Sequence, residues 1–179
     1  GGKAAARVLF GDVSPSGKLP VTFYNTLEEL PDFTDYAMKG RTYRYMTETP
    51  LFPFGHGLSY TTFQYGNASL NTSEIKDGEQ VTLTIPVSNT GKYDGEEVVQ
   101  VYLRHPGDKE GPSHALRAFK RVAIAKGATN NVTIPLSKEN FEWFDTSTNT
   151  MRPIEGDYEI LYGGTSELKQ LKSIPVTIK

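Results

Sequence analysis

Short runs of alternating apolar and polar residues dominate the chain from about residue 61 onward. In the run 81–88, every odd position is apolar and every even position is polar or proline, and the turn-forming pair Asp77-Gly78 precedes it. A period of two gives a β-strand one apolar and one polar face, so the run predicts a strand that is buried on one side. Because Pro86 lacks a backbone N–H, we expect it at a sheet edge or at a bulge.

Similar runs recur at short intervals and predict about seven or eight strands. They lie near 63–71, 81–88, 95–104, 115–124, 132–136, 158–162 and 174–178. The run 95–104 is apolar or aromatic on both faces, which predicts a central strand. A slip in the spacing of 115–124 predicts a bulge near Lys120-Arg121. The pattern predicts a mainly β fold, an antiparallel β-sandwich of the immunoglobulin or fibronectin type III kind.

The first sixty residues show a different pattern. Apolar residues from Ala4 to Phe10 suit the last turns of a helix that ends at Gly11, and Leu19 to Phe23 suits a strand. A helix, a short loop and one strand form an α/β fragment without a sheet of its own to join. We therefore expect this fragment to expose apolar side chains unless other elements cover them. The side chains concerned are Val8, Leu9, Leu19, Val21 and Phe23.

Residues 24–60 lack a steady period but are dense in aromatic residues. These are Phe33, Tyr36, Tyr43, Tyr45, Phe52, Phe54 and Tyr60. Flexible linkers are rich in Gly and Ser and poor in large aromatics, so this stretch is predicted to be an ordered, aromatic-anchored connector. The predicted division is an α/β fragment at 1–30, a connector at 31–62 and a sandwich at 63–179.

Composition and charge narrow the functional classes. The 179 residues carry 19 Lys and Arg against 21 Asp and Glu, a formal net charge of −2, which argues against nucleic acid as a partner. Cysteine is absent, which excludes disulfides, cysteine-ligated metals and cysteine nucleophiles. No apolar run approaches the roughly 18 residues of a membrane span, and the first residues, GGKAAARVLFGD, lack the apolar core of a signal peptide.

Several strings along the chain resemble a known family. They are VSPSGKLPVTF at 13–23, KGRTYRYM at 39–46, PLFPFGHGLSYTTF at 50–63 and GEEVVQVYL at 95–103. In this order and spacing they resemble the C-terminal part of glycoside hydrolase family 3, the β-glucosidase and β-xylosidase family. The resemblance covers the whole chain. It implies that 1–30 is the end of an α/β sandwich domain and that 63–179 is a fibronectin type III-like domain.

The resemblance implies a retaining glycosidase, in which one carboxylate attacks the anomeric carbon and a second acts first as acid and then as base. In the family, the nucleophile is an Asp of an N-terminal barrel domain, and the acid/base is usually a Glu upstream of the SGKLP-like string. Neither motif has a counterpart here, so the resemblance implies no catalytic residue, no cofactor and no metal ligand in this chain. The implied partners are the upstream barrel and α/β sandwich domains.

The resemblance also suggests a substrate class and a location. The string DYAMKGRTYRYM at 35–46 is more similar to the β-xylosidase and arabinosidase-like members than to the β-glucosidases. The implied substrate of the whole enzyme is a β-xyloside, with a β-glucoside close behind, in plant-derived oligosaccharides. Such oligosaccharides are met in the periplasm or outside the cell, so we expect a periplasmic or secreted protein.

Arg41, Tyr43, Arg44 and Tyr45 form a dense cationic and aromatic string with two interpretations. They could contact substrate at the rim of an active site. They could instead join two domains, with the arginines paired to carboxylates and stacked on aromatic rings, and we favour this second interpretation. His56 lies inside the PFGHG string, where we expect it to pack or to form hydrogen bonds.

Trp143, the single tryptophan, lies close to Glu142 and Asp145. An aromatic face beside carboxylates can stack on a sugar ring, but a lone tryptophan in a sandwich more often belongs to the core. The acidic residues at the start of the 95–104 run, Glu96 and Glu97, are expected to be solvated.

Two functions remain open. The first is an accessory C-terminal portion of a family 3 glycosidase, which stabilises the catalytic domains and is inactive alone. The second is a stand-alone carbohydrate-binding or interaction module, a role that β-sandwiches often have. Residues 1–62 would have no use in a free module, which favours the first function.

Overall fold

The computed structural model describes residues 1–76 and 79–179, so the turn predicted at Asp77-Gly78 lies outside the described residues. The N-terminal part contains two helices, α1 (Gly2–Leu9) and α2 (Thr42–Tyr45), and neither has the length and apolar character that a membrane crossing needs. The described strands are β1 (Phe63–Tyr65), β2 (Ser69–Leu70), β3 (Glu74–Ile75), β4 (Val81–Asn89), β5 (Gly95–Arg104), β6 (Ala115–Ile124), β7 (Thr129–Leu136), β8 (Glu142–Asp145), β9 (Thr150–Pro153), β10 (Gly156–Gly163) and β11 (Lys172–Ile178). Short 3₁₀ helices lie at Leu27–Glu29, Lys138–Phe141 and Leu168–Gln170.

The strands form two packed sheets and a hairpin. In the first sheet, β4 pairs with β7 along one edge and with β1 and β2 along the other. The second sheet has the order β3-β11-β10-β5-β6, in which only the β3–β11 pair is parallel. Strands β8 and β9 form a separate antiparallel hairpin. This architecture confirms the predicted mainly β, fibronectin type III-like sandwich.

The core lies between the two sheets and follows the alternation in the sequence. Along β4, burial alternates residue by residue, and the four apolar side chains from Val81 to Val87 are fully buried. The second sheet supplies Val99, Val101, Leu103, Tyr158, Ile160, Tyr162, Val176 and Ile178. Each fully buried side chain of this size stabilises the fold by about 1.5–3 kcal/mol relative to exposure, so the sandwich needs no disulfide.

Strand β5 is the central strand that its two apolar faces predict. It lies between β10 and β6, and every residue from Val99 to Leu103 is buried. The bulge in the β5–β6 ladder lies at Arg117, which is the extra residue between two successive pairs. The predicted position near Lys120-Arg121 is wrong because it requires an inward-facing Phe119, and that side chain is 68% exposed.

Pro86 lies within β4, which has neighbours on both edges, so the prediction of a sheet edge or a bulge is wrong. The missing N–H faces the gap between β1 and β2, where the Gly66 N–H donates to the Pro86 carbonyl (2.7 Å). Gly66 leaves room for the proline ring, because an added Cβ would lie 3.0 Å from the Pro86 Cβ.

Helix α1 ends at the predicted glycine. Gly11 has a φ of +81°, a conformation that favours glycine. Its N–H donates to the carbonyl of Val8, and the Asp12 N–H donates to that of Arg7. These two bonds form a Schellman motif, which satisfies carbonyls that the helix end would leave unpaired.

Residues 19–23 do not form the predicted strand. Phe23 and Phe52 form an isolated bridge, and each N–H donates to the other carbonyl. The Leu19 N–H donates to the His56 carbonyl (2.8 Å), and the Gly55 N–H donates to the Leu19 carbonyl (2.7 Å). Within the described residues the segment pairs with the connector, because no sheet strand lies beside it.

Residues 1–60 bury very little of themselves. Gly55 is the single buried residue among them. Of the side chains predicted to be exposed, Leu9, Val21 and Phe23 are exposed, whereas Val8 and Leu19 are half-buried. The predicted apolar exposure is therefore confirmed for three of the five side chains.

Candidate functional site

Several of the family-like strings meet on one side of the sandwich. We call this contact region the joint. On its N-terminal side it comprises Lys18, Leu19, Tyr43, Phe54 and Gly55, and on its sandwich side Glu97, Gln100, Tyr102 and His114.

An ion pair forms the first contact of the joint. Lys18 Nζ lies 3.1 Å from Glu97 Oε1, and the two side chains are only 18% and 7% exposed. The Tyr65 hydroxyl donates to the same carboxylate oxygen (2.9 Å), and burial together with the Glu97 charge raises the pKa of Tyr65. Glu97 is therefore not the solvated residue that its position at a strand start predicts, because Lys18 comes from a distant part of the chain.

A glycine and a buried glutamine form the second contact. Gly55 has a φ of +77°, and a Cβ at this position would overlap the Gln100 amide. Gln100 Nε2 donates to the carbonyls of Gly55 (3.2 Å) and Gly164 (2.7 Å), and Gln100 Oε1 accepts from the Tyr102 hydroxyl (2.6 Å). Glycine is therefore required at position 55 by its backbone conformation and by the close approach of Gln100.

Aromatic rings form the third contact. The Tyr43 ring stacks on Phe54, with centroids 4.7 Å apart, and meets Tyr102 and His114 edge-on at 5.8 and 5.1 Å. The Tyr43 hydroxyl accepts the Leu116 N–H (3.0 Å) at the start of β6. Tyr43 thus links α2 to two strands of the second sheet.

His114 is a neutral structural histidine of the joint. It is 2% exposed, and burial, with smaller contributions from the charges of Arg104 and Arg44, lowers its pKa to about 4. Nε2 lies 2.9 Å from the Ser166 carbonyl and Nδ1 lies 2.8 Å from the Ser113 hydroxyl. Because a carbonyl can only accept, Nε2 carries the proton and Nδ1 accepts from Ser113.

The predicted contact residues divide between the joint and the connector itself. Tyr43 reaches the sandwich with its side chain, whereas Arg44 reaches it with its carbonyl, which accepts the Ser113 N–H (2.7 Å). Arg41 donates to carbonyls of the connector, among them that of Ala37 (3.0 Å), and not to the carboxylates that we expected.

The two other predicted contact residues also serve the connector. The Tyr45 carbonyl accepts the Gly40 N–H (3.3 Å). The His56 ring packs on Phe52, with centroids 5.1 Å apart, and the His56 carbonyl accepts the Leu19 N–H. His56 thus packs and forms hydrogen bonds on the N-terminal side of the joint.

Trp143 cannot serve as a sugar platform, so that interpretation is wrong. Its side chain is 2% exposed, and Nε1 donates to Asp108 Oδ2 (2.6 Å). The Arg117 guanidinium lies 5.7 Å from the ring centre. Nearby Asp145 accepts from the Ser147 hydroxyl (2.7 Å), the Ser147 N–H (2.8 Å) and Arg152 Nε (2.6 Å), and these bonds lower its pKa. Trp143 therefore belongs to the core.

The histidines do not come together. His105 stacks on Tyr158, with centroids 4.3 Å apart, while His114 lies in the joint. In the described part of the chain, no cluster of three or more histidine or acidic residues is arranged to hold a metal ion.

The polar groups of the joint bind one another, which suits a fixed contact between segments. Sequence reasoning missed Glu97, Gln100 and His114 as members of this contact. The string at 95–103 contains the first two and could have pointed to them, whereas no local signal marks His114.

The fold is a fibronectin type III-like sandwich, and the joint packs an N-terminal segment against one side of it. Comparisons with known proteins agree with this description. Residues 1–60 match the profile of the glycosyl hydrolase family 3 C-terminal domain, and residues 97–166 match that of the fibronectin type III-like domain.

Similar proteins are much longer than this chain. A xylan 1,4-β-xylosidase of Xylanibacter ruminicola is 50% identical over 178 residues, which cover 99% of this chain and 20% of that protein. A probable β-glucosidase I of Aspergillus oryzae is 38% identical, over 93% of this chain and 22% of the Aspergillus protein. The solved structure of a β-glucosidase from Erythrobacter marinus is 35% identical in sequence. The superposition covers 100% of this chain and 24% of the Erythrobacter chain, with a TM-score of 0.83.

The chain belongs to glycoside hydrolase family 3. It corresponds to the C-terminal region of the β-xylosidases and β-glucosidases of that family. It spans about a fifth to a quarter of the length of the relatives that it matches.

Proposed function

We propose that this chain is the accessory C-terminal portion of a retaining, exo-acting β-glycosidase of plant-derived oligosaccharides. The catalytic carboxylates lie upstream, in the barrel and α/β sandwich domains, and this portion stabilises those domains without being catalytic alone. The preferred substrate is a β-xyloside, with a β-glucoside second.

The observation that carries the proposal is the contrast within residues 1–60. The joint fastens them to the sandwich, yet Gly55 is their single buried residue. Leu9, Phe10 and Leu27 are each at least 80% exposed. Large exposed apolar patches mark interaction surfaces, and the remainder of an α/β sandwich domain is a partner that suits this segment.

The substrate preference rests on likeness. The β-xylosidase of Xylanibacter ruminicola is 50% identical to this chain, whereas the β-glucosidase I of Aspergillus oryzae is 38% identical. The retaining mechanism requires two free carboxylates about 5–5.5 Å apart. Glu97, the carboxylate of the joint, is held by Lys18 and Tyr65 and is therefore a structural group.

The same proposal sets the domain limits and the location. Residues 1–30 complete the α/β sandwich domain, 31–62 form the connector, and 63–179 form the fibronectin type III-like domain. The five residues first expected at an inter-domain contact, Arg41, Tyr43, Arg44, Tyr45 and His56, belong to the connector. The protein acts in the periplasm or outside the cell, where plant oligosaccharides are met.

The test compares this 179-residue chain with a longer protein that includes the upstream domains. We expect the longer protein to hydrolyse nitrophenyl β-xyloside faster than nitrophenyl β-glucoside, and the chain alone to hydrolyse neither. Turnover by the repurified chain would contradict the accessory role. Equal or reversed preference in the longer protein would contradict the β-xyloside assignment.

A second test addresses stabilisation. Gly55→Ala in the longer protein should lower the temperature of half-inactivation, because it opens the joint, while leaving kcat/KM at low temperature unchanged. Gly127→Ala is the matched control, since Gly127 also has a positive φ (+74°) but lies in open space. A loss of kcat/KM at low temperature would show that the joint takes part in catalysis.

A further inference from the structure

A cleft between the connector and the sandwich carries an excess of positive charge. It encloses about 650 Å³ beside α2 and the loop from β5 to β6. Four cations line it, against two acids, in the part of the chain that the structure describes. The cations are Lys39, Arg44, Arg104 and Lys109, and the acids are Asp108 and Glu110. We call this region the cationic cleft.

One of the two acids accepts hydrogen bonds from neutral donors and forms no ion pair with the cations of the cleft among the described residues. Asp108 Oδ1 accepts the Glu110 and Gly111 N–H groups (3.1 and 2.8 Å), and Oδ2 accepts the Trp143 Nε1–H. Glu159 lies 3.3 Å from Arg104, but this pair is exposed and therefore weak. Asp108 keeps its negative charge, so four cations face Asp108, Glu110 and Glu159, which leaves an excess of one positive charge.

Arg44 is the cation with the most capacity to bind. Within the described residues, its backbone forms hydrogen bonds but its guanidinium has no hydrogen-bond or ion-pair partner. Burial, with a smaller contribution from the Arg44 charge, lowers the pKa of both His114 and Arg117, so the Arg44 guanidinium lies near both side chains. Behind the cleft, the Arg117 Nε is buried and has no partner among the described residues, while its Nη2 donates to the Glu142 carbonyl.

The rest of the cleft suits a sugar ring. Met38, Met46, Pro106 and Pro112 supply apolar surface, and the half-buried Tyr45 supplies an aromatic ring. Binding sites for small ligands combine such surfaces with a few charged groups that fix orientation. The two acids at the same cleft disfavour a doubly charged phosphate, whereas a carboxylate carries one charge and matches a guanidinium with two parallel hydrogen bonds.

We propose that the cationic cleft binds an acidic oligosaccharide, with the Arg44 guanidinium holding the carboxylate of a uronic-acid residue and Tyr45 contacting the neighbouring sugar. The choice of a saccharide as the carrier of the carboxylate rests on the proposed glycosidase function. The cleft would select substrates or products of that enzyme that carry a uronic-acid branch.

The test uses the chain itself and its single tryptophan as reporter. Trp143 donates to Asp108 in the cleft wall and meets His105 of the same wall with ring centroids 6.0 Å apart, so occupancy should change its fluorescence. The probes are xylotriose with a glucuronic-acid branch, unbranched xylotriose and free glucuronic acid. We expect saturable binding of the branched sugar, and at least about tenfold weaker binding of both others.

Variants assign the effect to Arg44. Arg44→Gln should weaken binding of the branched sugar about tenfold or more, and Arg44→Lys should restore only part of it, because lysine keeps the charge but loses the planar fork. Arg7→Gln is the charge-matched control, since Arg7 is exposed on α1 and does not line the cleft. Unchanged thermal unfolding of each variant shows that the fold is intact.

Three outcomes would overturn the proposal. Equal binding of branched and unbranched sugars would mean that the carboxylate is not recognised. An equal effect of Arg7→Gln would mean that only the overall charge matters. Absence of saturable binding of the branched sugar would mean that the cleft is not a saccharide site. Hydrolysis by the longer protein tests the proposed function separately, so either idea can fail while the other stands.

Discussion

The two halves of the molecule are held together by different means. Every buried hydrophobic residue lies at or after Ile75, where the alternating strands of the sandwich build a continuous core. Residues 1–60 contribute no such core. They are positioned by an ion pair, a buried glutamine, an aromatic cluster and hydrogen bonds such as that from the Ser113 N–H to the Arg44 carbonyl. Apolar area therefore stabilises the sandwich, whereas a few well-fitted contacts place the N-terminal segment.

This difference implies two levels of stability in one chain. Segments with few buried apolar contacts open at low free energy, while a core opens only with global unfolding. The joint should therefore open before the sandwich unfolds. Changes in the joint should act first on residues 1–60, and changes elsewhere should leave the joint closed.

The largest effect is expected from Gly55→Ala. The substitution forces a φ of +77° on alanine and displaces Gln100 from its bonds, which together should lower the opening free energy of the joint by about 3 kcal/mol. Hydrogen exchange of the Leu19 amide, which donates across the N-terminal side of the joint, should accelerate roughly a hundredfold. Gly127→Ala, with a similar φ in open space, should leave the Leu19 amide unchanged. Equal acceleration in both variants would show that the joint is not the controlling contact.

A somewhat smaller effect is expected from Lys18→Met. Removing the lysine leaves Glu97 buried without its counter-charge, and for a pair this enclosed we expect a loss of about 2–3 kcal/mol in the opening free energy. Adding Glu97→Gln should recover part of that loss, because the remaining amide carries no charge. The same amide exchange measures both variants. The opening free energy is also measured for Glu97→Gln alone. If Glu97→Gln lowered it equally with and without Lys18→Met, the two side chains would be independent.

The sandwich could be predicted from the sequence because its strands alternate locally. The burial of β4 repeats the apolar pattern of 81–88 residue by residue, and β5 is central because both of its faces are apolar. The local pattern failed where a distant residue decides the outcome. The local pattern predicts a solvated Glu97, but Lys18 pairs with it, and it predicts an edge position for Pro86, whose missing N–H instead faces the gap between β1 and β2.

The joint was less predictable for the same reason. Tyr43 and His56 could be identified as contact residues from their strings. The hydrogen-bond partners of Arg41 could not, because they are carbonyls that only the backbone path of the connector brings together. Trp143 is a further example. Its neighbouring acids suggested a sugar platform, but Asp108, 35 residues away in sequence, accepts a hydrogen bond from the indole in the core.

Lowering the pH should reduce the free energy of unfolding, because the unfolded chain protonates His114 more readily than the folded chain. Burial lowers its pKa to about 4 from the usual 6.5, so between these values the unfolded chain binds more protons than the folded chain. Stability that is present above pH 6.5 is therefore lost as the pH falls toward 4, by about 2 kcal/mol at pH 4.5. Urea unfolding followed by Trp143 fluorescence at pH 7 and 4.5 measures the loss. His114→Asn should remove about this much of the pH dependence, and an unchanged slope would mean that other groups cause it.

The smallest effect concerns an ion pair outside the joint. Arg104 and Glu159 lie 3.3 Å apart, much like Lys18 and Glu97, but their side chains are 46% and 36% exposed. Water and salt screen such a pair, so a double-mutant cycle with alanine should give a coupling below about 1 kcal/mol that fades at high salt. The Lys18–Glu97 cycle should give a larger coupling that changes little with salt, because both partners are shielded. Since the two distances are nearly equal, the ratio of the two couplings measures what burial adds in the joint, and equal couplings would mean that burial does not strengthen the Lys18–Glu97 pair.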